Sequence, residues 1–199
     1  MNAQPGLFAA DERTLVDDAT GRITYTPGFV DAATAQAWFD ELRDVVPWRT
    51  ERRRMYDREV DVPRLLGSFR LDDGELPPAI ASARDRVEAA TRERYTGVGL
   101  NRYRDGNDSV APHHDHLYEL VPGHPIALLS LGDVRTMQIR SQDRPRRAID
   151  VELEPGSLLV MSYETQLHWL HGVAKTKREV GERISLAFRV KPASATSRY

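Results

Sequence analysis

The sequence predicts an α+β protein, mainly β, with a sandwich or jelly-roll core supported by N-terminal helices. From residue 98 onward, short β-branched or apolar segments alternate with turn sequences. Before that point, two stretches carry apolar residues at helical spacing. The length of 199 residues suits one domain.

Residues 1–20 read as a polar N-terminal segment, 21–192 as a single domain and 193–199 as a C-terminal tail. Arg22 to Thr26 alternates and predicts a short strand. Asp31 can cap a helix running to Val46, with Ala35, Trp38, Phe39, Leu42 and Val46 on one face, and Pro47 ends it. A second helix is expected over Pro78–Tyr95, with Pro78 in its first turn and Gly97 beyond its end. Its stripe is Ile80, Ala83, Val87 and Ala90, and both stripes read as scaffold packed on a sheet. Strands follow at Gly99–Tyr103, Ile126–Leu131, Thr136–Arg140, Ala148–Leu153, Ser157–Met161, Trp169–Val173 and Arg183–Val190. Turn sequences such as DGND, PGHP, SQDRP and EPG separate them.

Composition narrows the chemistry. There are no cysteines, which excludes disulfides, thiolate metal sites and thiol catalysis. A metal here must be held by nitrogen and oxygen ligands. No apolar run is long enough to span a bilayer, and the first residues carry acids where a secretion signal would be basic and then apolar. A cytoplasmic monomer with no membrane partner is the expectation. The net charge of -2 gives no global attraction to nucleic acid, so phosphate binding would need local patches. The cations are almost all arginine. That suits phosphate and carboxylate recognition, and a GC-rich coding sequence would produce the same bias.

The histidines are 113, 114, 116, 124, 168 and 171. Three stand in the run HHDH. On an extended segment His113 and Asp115 share a face, with Cα atoms about 7 Å apart. A histidine nitrogen and a carboxylate oxygen can then converge on one cation. Two histidines and one carboxylate with open positions are the facial triad of non-haem iron(II) oxygenases. Taken alone, HxD is also what a solvated loop looks like. His114 and His116 face the other way. Both His168 and His171 are candidates for the third ligand.

Arg183-Ile-Ser-Leu-Ala-Phe-Arg189 alternates along its length. Ile184, Leu186 and Phe188 point one way; Arg183, Ser185, Ala187 and Arg189 point the other. The second face could simply be solvated. Strand rise separates the two arginines by about 20 Å, and side chains reaching inward leave a gap of about 8 Å, the size of a short dicarboxylate. A guanidinium fork matches a carboxylate in bidentate fashion.

These residues resemble the AlkB-like family of Fe(II)- and 2-oxoglutarate-dependent dioxygenases. The likeness rests on four stretches in the family's order. They are Asn101-Arg-Tyr103 with Asp105-Gly106, His113-His-Asp115, Trp169-Leu-His171-Gly172, and Arg183 through Arg189. It covers residues 98 to 190, with fainter similarity back to Pro63-Arg64. The resemblance implies a double-stranded β-helix core. It also implies Fe(II) on His113, Asp115 and His171, and 2-oxoglutarate held by Asn101, Tyr103, Arg183, Ser185 and Arg189. In that family O2 and 2-oxoglutarate are converted to succinate and CO2 while an N-methyl carbon is hydroxylated and lost as formaldehyde.

The implied partner is alkylated nucleic acid, single- or double-stranded, in the context of DNA damage repair. Tyr56, Arg64, Phe69 and Trp169 are the expected substrate contacts. Arginines 49, 52, 53, 54, 58, 64 and 70 form one basic patch, and Arg140, Arg144, Arg146 and Arg147 a second. One departure stands out. Duplex-repairing relatives follow the Pro-Arg element with an aromatic-rich stretch, whereas this chain reads LLGSFRLDDGELPP, with Phe69 its one aromatic. Two alternatives therefore stand beside nucleobase demethylation. One is the same oxygenase chemistry on a small molecule or protein, and the other is a jelly-roll module that binds a metal or ligand without turnover.

Overall fold

A computed structural model describes residues 11–55, 58–72 and 74–193. Three layers stack through it. Two helices cover one face of a seven-stranded sheet, and a four-stranded sheet covers the other. The strands are β1 (Arg13–Asp18), β2 (Gly21–Thr26), β3 (Arg52–Met55), β4 (Arg58–Asp61), β5 (Leu65–Arg70), β6 (Gly97–Tyr103) and β7 (Val110–His113). They continue as β8 (Ile126–Gly132), β9 (Arg135–Ser141), β10 (Ala148–Leu153), β11 (Leu158–Met161), β12 (Trp169–Val173) and β13 (Arg183–Arg189). The large sheet runs β1-β2-β11-β8-β13-β6-β5, the small one β10-β9-β12-β7, and β3 pairs with β4 as a separate hairpin. Both main sheets are antiparallel throughout, which gives the jelly-roll class expected from the sequence.

Helix α1 (Ala32–Val45) begins where the Asp31 carboxylate accepts the Thr34 backbone N–H at 2.9 Å. It stops before Pro47, with Val46 already extended. Ala35, Trp38, Phe39 and Leu42 form its buried stripe, as the spacing predicts. Helix α2 (Pro78–Thr91) has proline at its first position, and Glu41 of α1 accepts the Ala79 N–H at 3.0 Å. It ends four residues short of the expected Tyr95. Arg92 turns left-handed at φ 58°, and Glu88 accepts the Tyr95 N–H, which swings Tyr95 into the core against Phe188. The helices pack on Val98, Leu100, Leu129, Leu131, Ile184 and Leu186 of the large sheet.

Between the sheets lies a second core. Ile23, Tyr25, Leu128 and Leu159 from the large sheet meet Met137, Ile139, Val151 and Val173 from the small one. The central strand β13 is therefore covered on both faces, and the solvated second face considered for it does not exist.

Several elements depart from the sequence reading. Residues 13–18, expected within the polar N-terminal segment, pair with β2 as an edge strand whose charges suit an unpaired edge. Leu65–Arg70 is a strand that the sequence reading did not list, and Gly67 is what lets it pass. A Cβ there would sit 2.6 Å from the Val46 side chain. Val110–His113 is a strand despite Pro112, which is tolerated because β7 is an edge.

Candidate functional site

His113 closes β7, and His171 lies in the middle of β12. The antiparallel register places them opposite each other, with ring centroids 4.5 Å apart. Asp115 follows just beyond the end of β7. Each of the three offers one ligand atom, and these atoms lie within 4.8 Å of one another. The β7–β12 ladder shifts register between His171 and Val173, at Gly172. There a Cβ would lie 2.9 Å from the Pro112 nitrogen and the Val110 carbonyl oxygen, so only glycine lets the two histidine-bearing strands close up.

The protonation states suit a cation. The His113 Nδ1–H donates to the Ala111 carbonyl at 2.9 Å, which leaves Nε2 as the lone pair on the Asp115 side. Burial pulls the His171 pKa down to about 4, and the neighbouring His113 adds to the shift. Burial likewise lowers His113. Both imidazoles are thus neutral near pH 7. Burial alone would raise Asp115, but the charge and hydrogen bond of Arg189 outweigh it and hold the carboxyl well below the usual range. The Arg189 Nε donates to Asp115 Oδ2 at 2.7 Å, leaving Oδ1 toward His113.

Next to this cluster, β13 and β6 bring five expected cosubstrate residues together. Register pairs Arg183 with Tyr103, Ser185 with Asn101 and Arg189 with Gly97, all on the face turned toward the small sheet. Arg183 is buried beside the Tyr103 ring, 5.2 Å from its centroid. Its Nη2 donates to Ser130 Oγ at 3.0 Å, while Nε and Nη1 have no hydrogen-bond partner in the protein. A buried guanidinium is costly to leave half-satisfied, and its unmatched N–H groups call for an acceptor such as a carboxylate. Burial pulls the Arg183 pKa down from its ordinary value. Arg135, which the sequence reading did not single out, lies 5.6 Å from the same Tyr103 ring and donates to the carbonyls of Asp105, Asp108 and Ala174. It fixes the Asp105-Gly106 turn, where a Cβ on the glycine would lie 2.4 Å from the Thr176 carbonyl oxygen.

A model of the 2OG-Fe(II) oxygenase superfamily matches residues 70–189. The chain belongs to that superfamily. As a 2OG-Fe(II) oxygenase it needs places for a divalent ion and a dicarboxylate, and the donor set and the half-satisfied Arg183 fit both. Its curated relatives are AlkB-like. The chain is 40% identical over 119 residues to mouse "DNA oxidative demethylase ALKBH2", covering 56% of this chain and half (50%) of the mouse protein. It is 29% identical over 201 residues to mouse "Alpha-ketoglutarate-dependent dioxygenase alkB homolog 3", covering 89% and 69%. Among solved structures, OsALKBH1 superposes with TM-score 0.61 at 17% identity, covering 84% of this chain and 97% of that one. A Pseudomonas putida prolyl-4-hydroxylase superposes at 0.59 and 21%, covering 87% and 95%. These two establish a shared fold.

The substrate candidates fare differently. Tyr56 lies outside the described residues. Phe69 pairs with Val98 and packs into the helix-side core, on the opposite face of the sheet from Asn101, because alternation along β5 turns it away. Trp169 is only 2% exposed, with its Nε1 on Thr20 Oγ1 and Arg147 stacked 4.6 Å from its ring, so it is a packed wall residue. Arg64 does reach the site, where its Nε donates to Asn101 Oδ1 at 2.7 Å and Nη1 to the Ser109 carbonyl at 3.3 Å. His168 is drawn off to Asp143, 2.6 Å away, which removes it as a rival to His171. Two features escaped the sequence reading. Gln166 touches Asp115, and Tyr118 stacks on His116 while 75% exposed.

Proposed function

We propose that this protein is an Fe(II)- and 2-oxoglutarate-dependent dioxygenase that oxidatively demethylates N-alkylated bases in DNA or RNA. The observation that carries the reading is the convergence of His113, Asp115 and His171 beside the buried, half-satisfied fork of Arg183. When bound, iron(II) and 2-oxoglutarate supply the oxidising chemistry with O2. The protein's own residues divide the remaining work. His113 and His171 present neutral nitrogens, and Asp115 is kept ionised by Arg189. Arg183 takes the far carboxylate of the dicarboxylate, with Ser185, Tyr103 and Asn101 on the same face of the sheet. Arg64 occupies the Asn101 carbonyl oxygen, which leaves the amide nitrogen as the group presented to the cosubstrate.

The substrate class follows from the relatives named for DNA demethylation, and local chemistry supports it. Arg144 and Arg146 are exposed on the β9–β10 loop, whose Asp143 is bonded to His168 just before β12. The exposed His116–Tyr118 stack follows directly on Asp115 and offers a ring face for a base. The test is formaldehyde release from N-methylated oligonucleotides, single- and double-stranded, by the iron-loaded protein. Release that depends on 2-oxoglutarate and falls steeply with salt is expected. Turnover of 2-oxoglutarate that ignores every oligonucleotide would contradict the nucleic-acid substrate.

A further inference from the structure

Asp115 stands just past the end of an edge strand, where no ladder partner is available for its backbone. The β7–β12 ladder is short, with His171 opposite His113, Val173 opposite Val110 and a bulge between. A ligand carried beyond such an end needs another tether. The structure supplies one from α3 (Thr165–His168), the short turn that leads into β12. The Asp115 N–H donates to Gln166 Oε1 at 2.9 Å, across 51 residues of sequence.

Gln166 is itself buried, and its amide has one allowed orientation. Oε1 must meet the Asp115 N–H, which is a donor. Its Nε2 donates to Thr165 Oγ1 at 3.0 Å, and that hydroxyl spends its proton on the Ser162 carbonyl at 2.6 Å, so it can only accept. Ser162 is in turn bonded both ways to the Arg22 backbone of β2. Gly21 makes the close approach possible, since a Cβ there would lie 2.7 Å from Thr165 Cγ2. A chain of hydrogen bonds therefore runs from the Asp115 backbone N–H to Ser162, which is bonded to the large sheet, through the same segment that delivers His171.

We propose that Gln166 is a positioning residue for the metal site. It fixes the Asp115 backbone from behind while Arg189 fixes the carboxylate from the side, so that Oδ1 stays aimed between the two histidines. This rests on the reading of His113, Asp115 and His171 as metal ligands.

The test is titration of the metal-free protein with Co(II), read by visible absorption, alongside thermal unfolding without metal. Removing a partner that orients a ligand typically weakens metal binding about 10- to 100-fold. Gln166→Met, similar in volume but without the acceptor, is expected to bind Co(II) at least about tenfold more weakly than wild type. Gln166→Glu keeps the acceptor and is expected to retain most of the affinity. Should the Met variant not fold, Thr165→Val carries the test. It removes the acceptor that orients the amide, and a smaller weakening, about threefold, is expected. Wild-type affinity in the Met variant, or in the Val variant where that one stands in, overturns the proposal. So does equal weakening in Met and Glu, which would point to packing alone. A wild type no better than His171→Ala sinks the metal reading itself, a result distinct from either.

Discussion

Arg183 sits in the core with a full positive charge and two donors that no protein atom accepts. Such a group costs stability in the free protein and returns it when a carboxylate arrives. The two effects separate in one variant. Arg183→Met is expected to weaken 2-oxoglutarate binding by roughly a hundredfold, about 3 kcal/mol for two charge-assisted hydrogen bonds. The same change is expected to leave the melting temperature of the free protein unchanged or higher. Calorimetric titration with Mn(II) in place of iron, plus a melting curve, checks both; lower stability with intact binding would contradict the assignment. Asp108 works in the opposite sense. Burial would raise its pKa, but hydrogen bonds from the Arg104 side chain and backbone outweigh that and hold it below the ordinary carboxylate range. A depressed folded pKa means that the stabilisation is present above the unfolded value and is lost as pH falls through the folded one. Asp108→Asn is therefore expected to cost about 1–3 kcal/mol at neutral pH and to flatten the acid limb of the stability profile. Urea melts at several pH values measure this, and parallel acid limbs would count against it.

At the scale of elements, the decisive contact is between β7 and β12, because it sets the distance between the two candidate histidine ligands. Gly172→Ala places a methyl against the backbone of Pro112 and Val110, atoms that cannot step aside as a flexible side chain can. We expect about 1–3 kcal/mol of destabilisation and a loss of metal affinity larger than that of stability. Gly97→Ala is the control. Its nearest neighbours are the flexible end of Lys191, at 3.6 Å, and it should be close to neutral. Differential scanning fluorimetry with and without Co(II) distinguishes them, and equal behaviour would refute the special role of position 172. This strand pair also shows where sequence reading stops. The histidines, the arginine spacing and both helix starts were legible because each is a local pattern: HxD, period-two alternation, Asp31 and Pro78 at helix openings. Strand β7 was not, since Pro112 argues against a strand unless its edge position is known. Strand β5 was not, since Gly67 and Ser68 look like loop until Val46 is seen against them. Gln166 leaves no local signal at all. Its role exists only through a partner 51 residues away. The packing of Phe69 and Trp169 was not legible for the same reason, because which face an aromatic takes is decided by the sheet it joins.

Taken as a whole, the molecule is a metal and dicarboxylate site set between two sheets, with the helices bracing the far side of the larger one. The central strand β13 has both faces covered, so its arginines act in a buried setting where their charges are strongest. No helix among the described residues is long and apolar enough to cross a membrane. The layered design explains how a chain only 17% identical to OsALKBH1 keeps its fold. The large sheet carries the residues expected to hold the dicarboxylate and the small sheet the histidines, so their relative placement is a property of the core between them. The most direct test of this account is succinate formation from 2-oxoglutarate when O2 is admitted to the anaerobically iron-loaded protein, with His171→Ala beside it. The account predicts succinate from the wild type and none above background from the variant. No succinate from a wild type verified to bind both iron and 2-oxoglutarate, or undiminished succinate from the variant, would contradict it.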